Sequence, residues 1–89
     1  MTTLQLTLLV KPGCHLCDDA RNVIARVLSS AQVIRLHERV DFEELNILEH
    51  DELRARYAEE IPVLFVNGKQ HSYWHVDADR LIEALVKGD

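Results

Sequence analysis

Only two of the 89 residues are cysteine, too few for the disulfide framework that holds small secreted domains together. Positive charge is also scarce. Ten lysines and arginines face fifteen acids, giving a net charge of -5, and the bases are scattered singly. That pattern leaves no electrostatic footprint for nucleic acid or an anionic membrane, so neither is expected as a partner. No run approaches the roughly 18 consecutive apolar residues of a membrane span. With three glycines and two prolines there is no linker, and no repeat or low-complexity tract is visible. The first residues lack the basic start, long apolar core and small-residue cleavage site of a secretion signal, so the expected location is cytoplasmic. The remaining composition, 47% apolar and 28% charged, fits one globular domain over residues 1–89, expected as a monomer.

The two cysteines lie close together, in Lys11-Pro12-Gly13-Cys14-His15-Leu16-Cys17. Ahead of them Leu4, Leu6 and Leu8 alternate with Gln5 and Thr7 before Leu9-Val10, which predicts a buried strand ending near Lys11. Behind them Leu16, Ala20, Val23, Ile24, Val27 and Leu28 recur at helical spacing. Cys14 is thereby placed at a helix start, where unpaired N–H groups and the positive end of the helix dipole favour thiolate over thiol. Cys17 supplies a second sulfur that can displace whatever the first captures, so the pair reads as a reversible dithiol/disulfide couple. A merely structural staple explains the spacing poorly, because closing so short a loop is worth only about 2 kcal/mol.

The end of the first helix is ambiguous: Ser29-Ser30 suggests a stop, while Ala31, Val33 and Ile34 can extend the apolar stripe. Val40 and Phe42, then Leu45 and Ile47 in a changed phase, predict a strand within 39–47 with a bulge near Glu43-Glu44. Asp51 is expected to cap a short helix through Ala58, with Leu53 and Tyr57 on its inner face. Pro62 forces Ile61 extended. Val63 to Val66, the turn pair Asn67-Gly68 and Lys69 to Trp74 predict a hairpin. Asp77 is expected to cap a final helix to about Lys87, with Ala78, Leu81, Ile82, Leu85 and Val86 facing inward and Gly88 ending it. The order β-α-β-α-β-β-α implies an α/β fold with a mixed four-stranded sheet and helices on both faces, a three-layer α/β/α arrangement.

A C-x-x-C between first strand and first helix, followed by Ile61-Pro62 ahead of an apolar hairpin, resembles the thioredoxin fold and, within it, the short bacterial glutaredoxin-like proteins. Val10 to Asp18, Asp51 to Tyr57, Glu60 to Gly68, Tyr73-Trp74 and Asp77 to Leu85 carry the resemblance. It implies a thiol-disulfide oxidoreductase serving cell redox homeostasis. Cys14 would be the attacking thiolate and Cys17 the resolving thiol. Pro62 would be a cis-proline, with Ile61 offering its backbone to the substrate. Lys11 would occupy the basic position three before the nucleophile. His15, Trp74, His75 and Asp77 complete the implied substrate-binding set, and His15, when protonated, would stabilise the neighbouring thiolate. Partners would be disulfide-bearing proteins or small molecules. No bound cofactor is implied, with glutathione the candidate reductant.

Two departures stand out. Glutathione-using relatives carry Gly-Gly after the last strand, where backbone N–H groups form an anion nest. Here the pair is Trp74-His75, whose side chains would crowd it, and Leu16 replaces an aromatic residue before the second cysteine. Two other readings stay open at this point. Cys14, Cys17, His71 and His75 imitate a Cys2His2 set, which would make the chain a zinc or iron-sulfur module. Yet 53 residues separate Cys17 from His71, and His71 and His75 on one strand face would lie about 13 Å apart. The other reading is a non-catalytic protein-binding adaptor.

Overall fold

The computed structural model describes residues 3–36 and 39–87. In chain order the elements are β1 (Thr3–Val10), α1 (His15–Leu28), α2 (Ala31–Leu36), β2 (Arg39–Asn46), a 3-10 turn (Ile47–Glu49), α3 (Asp51–Tyr57), β3 (Val63–Val66), β4 (Lys69–Tyr73) and α4 (Ala78–Lys87). The expected order is present, with α2 and the 3-10 turn added. Four strands form one mixed sheet in the order β2-β1-β3-β4, with β1 parallel to β2 and antiparallel to β3.

The period-two pattern of β1 sorts its side chains between two layers. Leu6 pairs with Val66 and Leu8 with Leu64, whereas Thr7 pairs with Phe65. Phe65 meets the Tyr57 ring of α3 edge-on, with centroids 5.6 Å apart, so Thr7, Leu9 and Phe65 face α3. Leu4, Leu6 and Leu8 therefore face the other layer, where α1, α2 and α4 contact one another. There they join Ala20, Ile24 and Val27 of α1, Val33 of α2 and Leu81 and Leu85 of α4 in the buried core.

One ambiguity is resolved and one local expectation is corrected. The chain does stop at Ser29, whose hydroxyl bonds back to Ala25 O at 2.9 Å, but it restarts at once as α2. Ser30 caps the restart: its hydroxyl accepts from Val33 N–H at 3.4 Å and its carbonyl from Ile34 N–H at 3.0 Å. The new axis buries Val33 and leaves Ile34 61% exposed. β2 runs in unbroken register against β1 with no bulge at Glu43-Glu44. Its change of phase has another cause: Val40 lies opposite Leu4 and Leu45 opposite Leu9, so one end packs on one layer and the other end on the second. The bulge sits instead in the hairpin, where Leu64 pairs with Ser72 but Phe65 with Gln70, leaving His71 as the extra residue.

The helix ends differ in detail. His50, not Asp51, occupies the cap position of α3 and makes no side-chain capping bond. Asp51 is the first helical residue and turns to Arg54 at 3.2 Å. Asp77 does cap α4, its Oδ1 accepting from Arg80 N–H at 3.2 Å. Val86 faces outward, 46% exposed. Gly88 and residues 37 and 38 lie outside the described residues. Asn67 and Gly68 both take positive φ, +50° and +84°, as the expected hairpin turn requires.

Candidate functional site

β1 ends at Val10 and the chain turns through Lys11-Pro12-Gly13 into α1. Proline fixes the second position of this turn and Gly13 takes φ +70° at the third, a conformation that favours glycine. The turn sets Cys14 at the N-cap of α1 with extended dihedrals, φ -102° and ψ 112°. Its Sγ accepts the Cys17 N–H at 3.1 Å, the place a serine or aspartate oxygen takes in an ordinary cap. Cys14 is half-buried, its sulfur at one of the helix's otherwise unpaired donors.

Cys17, one turn further on, is 0% exposed. Burial pushes its thiol up from 9.0 to about 11, helped by the hydrogen bond and charge of Cys14 and opposed by a Lys11 backbone hydrogen bond and the Arg21 charge. At neutral pH it is a protonated reserve behind an accessible sulfur. A raised thiol value stabilises the fold below the unfolded value and loses that contribution as pH rises through the folded one. The reduced protein should therefore lose thermal stability between about pH 9 and about pH 11 more steeply than the oxidised protein, which has no Cys17 thiol to ionise. Melting curves of both forms check this. Equal slopes would contradict the burial argument.

Strand register brings the other expected residues to the same sheet edge. Leu9 pairs with Val63 and Val63 with Tyr73, so the end of β1, Ile61-Pro62 and Trp74 are neighbours in strand order. The Ile61–Pro62 bond is cis, and both residues are buried. Among the described residues Ile61 has no main-chain hydrogen-bond partner, which leaves its N–H and C=O unpaired beside the cysteine turn. Lys11 and His15 are exposed. What the structure assigns to Lys11 is its backbone bond to Cys17, in addition to any effect of its ammonium.

The last strand, expected to run to Trp74, ends at Tyr73 and leaves Trp74 outside it. Its φ is +64°, rare for a bulky residue, and His75 N–H closes a three-residue turn onto Tyr73 O at 2.8 Å. The Trp74 N–H reaches Pro62 O at 2.8 Å and Glu60 O at 3.3 Å, and its indole N–H reaches Glu59 O at 2.8 Å. The backbone at Trp74 thus takes a conformation that favours glycine. His75 is exposed, and Asp77 is engaged with its own helix. The four-residue Cys/His set is not assembled: among the described residues no group of three or more His, Cys, Asp or Glu is placed to hold a metal ion. The bulge at His71 and the turn at Trp74 also end the strand alternation that would have aligned His71 with His75.

Arg21 escaped the sequence reading. It stands four residues after Cys17 on the same helix face, a visible spacing, and is held by Asp18 at 2.6 Å and Glu44 at 2.8 Å. Glu59 and Glu60 were missed as well. They sit in the loop before Pro62, where no periodicity marks them.

These features have counterparts in known proteins. The mixed sheet with a cysteine-bearing helix start is a thioredoxin-like fold: chloroplastic thioredoxin z superposes with a TM-score of 0.69 at 12% identity, covering 98% of this chain and 80% of that one. The glutaredoxin-like domain family (DUF836) matches residues 5–86, and the chain belongs to that family. A crystal structure of protein XcR50 from X. campestris is similar, with a TM-score of 0.68 and 30% identity over 90% of this chain and 93% of that one. An uncharacterized protein of Mycobacterium tuberculosis is 30% identical over 81 residues, 91% of this chain and 81% of its own length.

Proposed function

We propose that this chain is a thiol-disulfide oxidoreductase working through Cys14 and Cys17. The observation that carries the reading is the asymmetry of the pair: one half-buried sulfur at a helix N-cap, accepting a backbone N–H, in front of one fully buried thiol. Family membership and the thioredoxin-like fold support it. Cys14, as thiolate, attacks one sulfur of a substrate disulfide; that S–S bond breaks, a mixed disulfide forms, and the first substrate thiolate leaves and takes a proton. Cys17 then gives up its proton and attacks Cys14 Sγ, and the second substrate thiol departs. Two electrons have passed to the substrate and a Cys14–Cys17 disulfide remains. A thiol reductant, two glutathione molecules or one dithiol, restores the pair. No bound cofactor takes part.

Around this couple, Ile61, held by the cis bond to Pro62, offers its unpaired backbone groups to an extended substrate segment. Lys11 and His15 flank the nucleophile, and Trp74, His75 and Asp77 line the next stretch of the sheet edge. The substrate is a disulfide-bearing protein or small molecule, met by a monomer in the cytoplasm as part of redox homeostasis. No described helix is long and apolar enough to cross a membrane. Turnover of a small disulfide with dithiothreitol as reductant tests the assignment. Cys14→Ser should abolish it, and full activity without Cys14 would refute it.

A further inference from the structure

The anion nest of a Gly-Gly site needs free backbone donors. Here the Trp74 N–H is taken by Pro62 O and Glu60 O, and the His75 N–H by Tyr73 O. A glutathione carboxylate would find neither. What the same positions present instead is a fixed aromatic ledge. Trp74 is 48% exposed, its indole tied to Glu59 O, and Tyr73, 50% exposed, meets it edge-on at 5.0 Å. The backbone at Trp74 holds this pose in a strained conformation, of the kind that persists where surrounding contacts over-determine it.

The ledge forms one wall of a cleft of about 580 Å³ that also takes in Glu59 and Glu60. Glu60 is engaged by Gln70 Nε2 at 3.3 Å; the Glu59 carboxylate is exposed and has no ion-pair partner among the described residues. Arg56 lines the cleft too, but its guanidinium lies over the Tyr57 ring, 5.5 Å from the centroid. An aromatic face beside an open carboxylate suits a cation. Val10, which ends β1 four residues ahead of Cys14, lies two strand spacings, roughly 10 Å, from the end of β4 that leads into Trp74, a span an extended chain covers in about three residues.

We infer that the preferred substrate is a polypeptide disulfide carrying lysine or arginine about three residues from the attacked cysteine, its cation seated between Trp74 and Glu59, and that glutathione disulfide is disfavoured. This rests on the exchange reading of Cys14 and Cys17. The reaction is the one given above, with dithiothreitol as reductant.

The test compares reduction rates of three peptide disulfides, differing only in lysine, alanine or glutamate at that third residue, with glutathione disulfide and neutral bis(2-hydroxyethyl) disulfide as references. In wild-type protein the lysine peptide should react about tenfold faster than the glutamate peptide. Glutathione disulfide should react no faster than the neutral reference. The lysine-to-glutamate ratio should fall to about threefold or less in Glu59→Gln and toward one in Trp74→Ala. If the Trp74 variant does not fold, Glu59→Gln, an exposed conservative change, decides alone. A ratio near one in wild type, a ratio unchanged by Glu59→Gln, or glutathione disulfide outpacing the peptides overturns the inference while the exchange reading stands. No reaction with any disulfide, the neutral reference included, overturns both.

Discussion

Cys17→Ser should leave capture intact and stop release, so that the variant accumulates as a mixed disulfide with its substrate. The expectation follows from where the two sulfurs sit. Cys14 accepts the residue-17 backbone N–H, a bond to the main chain that survives loss of the Cys17 side chain. Its accessibility is likewise set by the Lys11–Gly13 turn and not by its neighbour's sulfur. Serine at position 17 keeps similar volume in a fully buried site but cannot break a disulfide. Cys14→Ser has the opposite outcome. The remaining thiol stays buried, and burial is the largest of the causes that push it up, so it can neither reach a substrate nor readily ionise at neutral pH, and turnover should fall to background. Intact mass after mixing with a peptide disulfide distinguishes them: a covalent adduct in stoichiometric yield for Cys17→Ser and none for Cys14→Ser. Adducts on the Cys14→Ser protein would assign the nucleophile wrongly.

Leu8→Ala is expected to destabilise the domain by about 3–5 kcal/mol, the upper part of the range for truncating a fully buried leucine. Leu8 is 0% exposed at the middle of the central strand, opposite Leu64 on one side and Glu44 on the other. The neighbouring strands are hydrogen-bonded to β1 on both edges and cannot collapse into the space left behind. At roughly 0.05–0.15 kcal/mol per residue the whole domain has about 4–13 kcal/mol, so the loss is a large share of its stability. The melting temperature should drop by roughly 15–30 °C. Ile34→Ala is the contrast: the side chain is 61% exposed, and its removal should change stability by about 0.5 kcal/mol or less. Similar losses for the two variants would show that the core is not organised around β1 as described.

Much of this architecture is readable in the sequence because local and tertiary signals agree. Cys14 lies where a strand pattern gives way to a helix pattern, and Asn67-Gly68 separates two short runs with the residue pair most favoured for a turn that uses positive φ at both positions. The errors have a common origin in partners that a linear reading does not see. Ser30 marks a stop and equally a new cap, and only the direction of α2 decides that Val33 is buried and Ile34 is not. The phase change in β2 looks like a bulge until its two ends are seen to pack on different layers. Trp74 is the clearest case. Nothing in the preference of a bulky residue predicts φ +64°, and the conformation is imposed by the carbonyls of Glu60 and Pro62 that hold its N–H. Of the candidate site, the placement of the two sulfurs at a helix start, of Ile61-Pro62 ahead of β3 and of Trp74 after the last strand was legible. The approach of Glu59 to Trp74 was not, since it arises from a loop and a turn that meet only in three dimensions.

The measurement that bears most directly on the central claim is an equilibrium redox titration of metal-free protein across glutathione buffers, with free thiols trapped by alkylation and read by intact mass. The expected result is a reversible two-electron transition between dithiol and Cys14–Cys17 disulfide, at roughly -200 to -270 mV, with no stable glutathione adduct. Thiols that neither oxidise nor exchange anywhere in that range would contradict it and leave the pair without a redox role.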